Sequence, residues 1–134
     1  MQNYDIIAIG DIVTDAFIRL TDAEATCDID HENCKLCVRF GDKVPYESVE
    51  VVKAVGNSAN AAVSGSRLGL KTALIASVGD DQNGKDCLVE LTKNKVGTEF
   101  IKTSSEFPTN YHYVLWYGVE RTILVKHAPF PYSL

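Results

Sequence analysis

Two short, nearly continuous apolar runs, residues 4–9 and 71–78, constrain what this chain can fold into more than any other feature. Each is closed by a glycine, Gly10 and Gly79. A strand that is apolar on both sides must be covered on both faces, which happens almost only in a parallel sheet with helices packed on it. The helices are legible too. Residues 59–69 are rich in small side chains and end at Gly69, a residue suited to the left-handed C-terminal position. Residues 85–95 carry Cys87, Leu88 and Leu91 at helical spacing, predicted to face the core. Open α/β sheets bind ligands beyond the carboxyl ends of their strands, which directs attention to residues 11–15 and above all to Asp15.

The remaining segments read as a β-appendage. Residues 23–34 are polar and acidic without a period. Residues 35–40 then alternate polar and apolar, Gly41, Asp42 and Lys43 supply turn chemistry, and residues 48–55 alternate again. These two strands are expected to form a small sheet set apart from the main one. Residues 98–102, 111–117 and 121–126 also read as strands, the last two joined as a hairpin through Gly118, Val119 and Glu120. The pattern predicts an α/β fold with a small β-sheet attached, without internal repeats.

With 134 residues, 46% of them hydrophobic, the chain can bury a core of single-domain size. Its net charge is -5 and its basic residues are scattered, which argues against a nucleic-acid surface. No apolar run is long enough for a membrane helix, and the first five residues lack the features of a signal peptide, so a cytoplasmic protein is expected. In a reducing compartment the four cysteines should remain thiols or bind metal. Cys27, His31, Cys34 and Cys37 are zinc-type ligands within eleven residues. Zinc sites usually draw ligand pairs from separated segments, however, so cysteines packed as small hydrophobes are the favoured reading. A redox pair at Cys34 and Cys37 is less favoured still, because no helix N-terminus is predicted there.

Three motifs in order carry a resemblance: Gly56 to Ala62, then Arg67, Leu68 and Gly69, then Gly79 to Gly84. Together with the opening Ile9 to Asp15, they resemble the first part of ribokinase-like (PfkB family) carbohydrate kinases, and the resemblance spans essentially the whole chain. It implies a partial Rossmann-like sheet flanked by helices, with strands within about residues 35–55 serving as a lid over the substrate. It also implies a sugar or nucleoside substrate, a possible homodimer through the lid, and no role for membrane or nucleic acid. By resemblance, Asp15 accepts sugar hydroxyls, Asn60 holds a neighbouring hydroxyl and Gly56 gives the sugar room against the backbone. Asp11 lies beside them, and Arg121 falls where some relatives meet an acidic sugar. Each has a plainer alternative: Asp15 as a turn cap, Asn60 as a residue of a helix start, Gly56 as a loop glycine, Arg121 as a surface arginine. Gly79, Asp81 and Gly84 are expected to shape a loop.

The sequence also departs from the family pattern. Val55 and Gly56 stand where many members have two glycines, and Val13 stands where ribokinases carry an asparagine, which makes ribose a doubtful substrate. The whole family enzyme uses ATP and magnesium, with an aspartate base after a glycine-rich helix start. No segment after Asn110 resembles that motif, so base and ATP site are expected beyond residue 134, and the chain alone is expected to bind no cofactor and to be inactive. A dinucleotide-binding module fits poorly, since Asp11, Ile12 and Val13 replace the glycine fingerprint. A non-catalytic sugar-binding or lid-mediated dimerisation module stays open. An isolated half-sheet is also expected to leave an apolar edge prone to association.

Overall fold

The structure, a computed structural model, describes residues 3–131. Its main sheet is wholly parallel. Strand β1 (Ile6–Ile9) pairs with β6 (Thr72–Gly79), and β6 pairs in turn with the short β7 (Val96–Gly97) and with β8 (Ile101–Ser104). Helices α1 (Asn57–Arg67) and α2 (Gln82–Lys93) lie between these strands in sequence, in the crossover positions that parallel pairing requires. Ala59 and Ala62 of α1 and Cys87 and Leu91 of α2 meet Leu74, Ala76 and Val78 of β6 in one core with Ile12 and Val96. The small residues of α1 let the helix lie close to the strand, and Gly65 has the Thr72 side chain 3.0 Å from where a Cβ would stand. After α1, Leu70 N–H donates to the Gly65 carbonyl at 3.1 Å while Gly69 takes φ +94°, the glycine stop expected from the sequence.

Burial on both faces holds for β6 but not for β1. Ile6, Ile7 and Ile9 are 41%, 46% and 59% exposed, because among the described residues β1 has one strand neighbour where β6 has neighbours on both sides.

The second sheet differs from expectation in its membership. Its order is β10 (Glu120–Leu124), β9 (Asn110–Tyr117), β2 (Val13–Leu20), β5 (Tyr46–Val55). Residues 13–20, not foreseen as a strand, form its spine, parallel to β9 and antiparallel to β5. Residues 35–40 do not pair with 48–55. Instead β4 (Lys35–Cys37) pairs with β3 (Glu24–Thr26) in a separate two-stranded piece. The reason is partner choice: β5 is ten residues long and finds in the eight-residue β2 a far longer partner than β4, which leaves β4 to its nearer neighbour.

The cysteines also depart from expectation. Cys27 and Cys34 are disulfide-bonded, Cys37 is an exposed free thiol and Cys87 is buried. The bond consumes two of the four ligands proposed for zinc, and His31 with Cys37 cannot complete a site. Among the described residues no three His, Cys, Asp or Glu side chains converge so as to hold a metal ion. No helix of the described residues is long and apolar enough to cross a membrane.

Candidate functional site

The two sheets meet where β1 ends and β2 begins, and there the backbone turns tightly against the start of α1. Gly10 adopts φ +150°, with the Ser58 hydroxyl 2.9 Å from where a Cβ would sit. Gly56 adopts φ +112°, with the Asp11 carbonyl 3.0 Å from its own Cβ position. The Ser58 hydroxyl donates to that carbonyl at 3.0 Å, locking the turn to the first turn of α1. Side chains larger than hydrogen at these two glycines would push the loop and the helix apart, which is the physical reason for glycine at both.

A cavity of about 480 Å³ opens at this junction, lined by Gly10, Asp11, Asp15, Gly56, His112 and His127 among others. That volume lies within the range of small-molecule sites. Asp15 sits mid-strand in β2, opposite His112 of β9 and Val52 of β5, so it is no turn cap. Its Oδ1 lies 3.5 Å from His112 Nδ1 without forming a hydrogen bond, and both this oxygen and His112 Nε2 are buried without a partner. Burial pushes the Asp15 carboxyl above the ordinary carboxylate value, and the neighbouring imidazole opposes this. Burial likewise lowers His112 below the ordinary histidine value; the Asp15 and Asp11 carboxylates oppose that shift, and His127 adds to it. At the mouth, His127 Nδ1 stands 3.4 Å from Asp11 Oδ2, and the two imidazole rings meet edge to face at 5.0 Å.

Of the residues singled out from sequence, the structure brings together Asp11, Asp15 and Gly56. Asn60 is not among the cavity's lining; it is exposed on α1 and faces the groove between α1, β5 and α2, beside Lys53 and Asn94. The spacing of the motif places Asn60 one turn into the helix, where its direction depends on how α1 is rotated against the sheet. Arg121 is exposed on β10 and lines a separate depression with Phe17 and Trp116. It belongs to the row of the sheet that holds Arg19, four positions along β2 from Asp15. His112 and His127 were missed. The only hint in the sequence was the alternation of residues 110–117, which puts Asn110, His112, Val114 and Trp116 on one face; which face that is depends on pairing with β2.

The loop after β6 is built around a carboxylate, as expected. Asp81 caps α2 by accepting from Gly84 N–H at 2.8 Å, and it also accepts from the Thr109 N–H at 2.8 Å and hydroxyl at 2.7 Å. Thr109 Oγ1 in turn accepts from Gly79 N–H at 2.9 Å. This knot fixes the start of β9, and through it the placement of His112 two residues into the strand.

The charge of the cavity lining limits what the cavity can hold. Among the described residues its ionisable lining is two aspartates and two histidines, with no lysine or arginine to meet a triphosphate. ATP, which the resemblance implies for the whole enzyme, therefore does not fit these residues, and no step of its chemistry is assigned to them.

Comparison with known proteins agrees with this reading of the fold. The family model described as pfkB family carbohydrate kinase matches residues 22–129. Among curated proteins, none matches. Of solved structures, a sugar kinase from Pyrococcus horikoshii in complex with ATP is 26% identical, with a TM-score of 0.64 over 90% of this chain and 33% of that one. A fructokinase from Halothermothrix orenii is 24% identical, with a TM-score of 0.65 over 92% and 37%. An Arabidopsis thaliana ribokinase complexed with ribose and ATP is 16% identical, with a TM-score of 0.72 over 93% and 36%. The chain thus spans about a third of the length of the solved structures it matches.

Proposed function

This chain belongs to the pfkB family of carbohydrate kinases, and from that premise we propose that it forms the substrate-binding part of an ATP-dependent sugar or nucleoside kinase. One observation carries the reading: the Asp15 carboxyl, mostly buried and with one oxygen lacking a hydrogen-bond partner, lines a cavity of about 480 Å³. A carboxylate in that state is stabilised by hydroxyl hydrogens, which a polyol supplies in pairs. Gly10 and Gly56 keep the backbone low enough for the ring to approach, and Asp11 borders the same space. Asn60 and Arg121 can join the ligand only if α1 or the outer sheet shifts, so we leave them outside the first set of contacts.

The ATP site, the magnesium ion and the catalytic base belong, on this reading, to residues other than these 134. Two observations support it: the chain covers about a third of its structural relatives, and β1 exposes Ile6, Ile7 and Ile9, which a continuation of the same sheet would cover. The test is ATP-dependent phosphorylation of a panel of sugars and nucleosides, by this chain and by any longer in-frame product, with ligand binding to the chain measured in parallel. The expected result is binding by the chain and turnover only by the longer product. Turnover by these residues alone, or no binding by either, would sink the proposal.

The outer sheet further supports a lid that pairs with a second copy. Its register sets Val51, Ala16, Tyr113 and Leu124 in one row, and Val49, Ile18, Leu115 and Thr122 in the next, on the face opposite Asp15 and His112. Val49, Val51, Tyr113 and Leu124 are each about half exposed, an apolar surface of the kind that subunits cover. Sedimentation at increasing concentration should show a dimer that Val51→Glu disperses; a wild-type chain that stays monomeric throughout would refute a lid-mediated pair.

A further inference from the structure

We infer that the substrate is a nucleoside: its sugar occupies the Asp15 cavity and its planar base lies on the outer sheet beside Phe17, Trp116 and Arg121. The inference rests on the polyol reading of the cavity and names the substrate class for it.

The strand register lays the two places end to end. Side chains two positions apart leave the same face of a strand, so Asp15, Phe17 and Arg19 of β2 line up with His112, Val114 and Trp116 of β9 beside them. Strand β10 extends the second and third of these rows with Ile123 and Arg121. The first row borders the cavity, the second is apolar, and the third sets an indole between two guanidinium groups. Strands rise about 3.3 Å per residue, so the Phe17 row stands about 7 Å and the Trp116 row about 13 Å beyond Asp15. A monosaccharide seated at Asp15 ends at the apolar row, whereas a ribose with a base on its anomeric carbon extends past it. Arg121, which a sugar reaches only if the sheet shifts, is met by this longer ligand in the fold as it stands.

The far rows form a depression of about 450 Å³, lined by Phe17, Trp116 and Arg121 with Val119 and Glu120 of the hairpin. Trp116 is 41% exposed, yet it is held in one orientation. Its indole N–H donates to the Gly118 carbonyl at 3.1 Å, and the Arg19 guanidinium lies 4.8 Å from the ring centroid. Arg19 is itself held by Glu47 at 2.8 Å. An aromatic surface that is both exposed and fixed suits stacking, because little side-chain freedom is lost when a flat group arrives. Arg121, exposed on the other side of Trp116 in the same row, offers a second plane, and guanidinium groups stack on bases much as rings do. The charges favour an uncharged planar group over an acidic one. A carboxylate or phosphate would find Arg19 already paired with Glu47 and would meet Glu120 at the rim. The face of the sheet assigned above to a second copy, with Val51 and Tyr113, is the opposite one, so the base and the lid pair do not compete.

Trp116 is the only tryptophan in the chain, so its fluorescence reports on this place alone. The 134-residue chain is titrated with adenosine, with D-fructose and with methyl β-D-riboside, which keeps the sugar and lacks the base; calorimetry gives the affinities. Adenosine is expected to quench the emission and to bind roughly tenfold or more tightly than methyl riboside, which should bind without quenching. Arg121→Ala should reduce that advantage severalfold and Trp116→Leu should abolish it, with methyl riboside bound by both variants as by the wild type. Trp116→Phe, which keeps an aromatic face, should retain most of it. The Arg121 side chain is exposed, so Arg121→Ala decides the matter if Trp116→Leu fails to fold. Methyl riboside or D-fructose binding the wild type as tightly as adenosine would overturn the inference while the polyol reading stands. An adenosine preference that survives both Arg121→Ala and Trp116→Leu would place the base elsewhere and overturn it as well. Failure of all three ligands to bind the wild type would sink both.

Discussion

Asp15→Asn is expected to weaken polyol binding by about tenfold to a hundredfold while leaving the fold as stable as before, or more so, at neutral pH. The first half follows from chemistry. Asparagine has the same shape, but it presents one acceptor oxygen where the carboxylate has two, and it carries no charge. Hydrogen bonds to charged groups contribute about 1.5–3 kcal/mol, which is that range in affinity. The second half follows from the burial of the carboxyl. Asp15 Oδ1 is buried without a partner, and burial has raised the carboxyl above its ordinary value. A carboxyl whose folded value exceeds its unfolded value contributes stability below the unfolded value and loses it as pH rises through the folded one. At neutral pH Asp15 therefore opposes folding in the absence of ligand, and an uncharged isostere removes that opposition. Calorimetric titration with the best-bound member of the panel, alongside urea unfolding of both proteins, measures the two halves. Unchanged affinity would remove Asp15 from the site. A large loss of stability would mean that the carboxylate holds the sheets together and is no recognition group.

Gly84→Ala is expected to destabilise the chain by about 3 kcal/mol, the upper end of what overpacking costs. A Cβ built at Gly84 stands 2.2 Å from the Gly79 carbonyl oxygen and 2.9 Å from Thr109 Oγ1. The first of these is backbone, so no rotamer change relieves it, and the start of α2 must move away from the end of β6. That movement breaks the Asp81 cap and, with it, the bonds that place Thr109. Gly118→Ala is the control. Gly118 adopts φ +59° in the hairpin turn, but nothing lies within 4 Å of its Cβ position, so only the left-handed backbone is strained, at about 1–2 kcal/mol. Urea unfolding should rank the variants in that order. Equal losses would mean that the α2 start yields more easily than its backbone contacts imply.

The same loop sets part of the acid sensitivity. Burial alone would raise the Asp81 carboxyl, but the bonds from the Thr109 hydroxyl, the Thr109 N–H and the Gly84 N–H outweigh it and hold the group below its ordinary value. A depressed carboxyl contributes stability above its unfolded value, which is lost as pH falls through the folded one. Acid unfolding should therefore be shallower in Gly84→Ala, where the bond from the Gly84 N–H is lost.

Elements whose partners are close in sequence were legible from the residues alone. The apolar run of β6, the helix stop at Gly69, the core positions Cys87 and Leu91, and the hairpin around Gly118 depend on local turn chemistry and periodicity. So do the loop role of Gly79, Asp81 and Gly84 and, through the motif order, the family itself. What depends on distant pairing was not legible. Residues 13–20 carry no clean alternation, and they become the spine of the outer sheet because β5 and β9 arrive on either side of them. That single fact turned Asp15 from a loop residue into a mid-strand one. It also brought His112 beside it from almost a hundred positions away, left residues 35–37 to pair with 24–26, and placed Arg121 in another row. Asn60 shows the same limit on a helix: the motif places the residue, but the packing of α1 against β6 decides which way it faces. Side-chain type and spacing along the chain thus determined which chemistry this protein carries. Strand register, a property of contacts between segments far apart in sequence, decided which of those groups share one cavity.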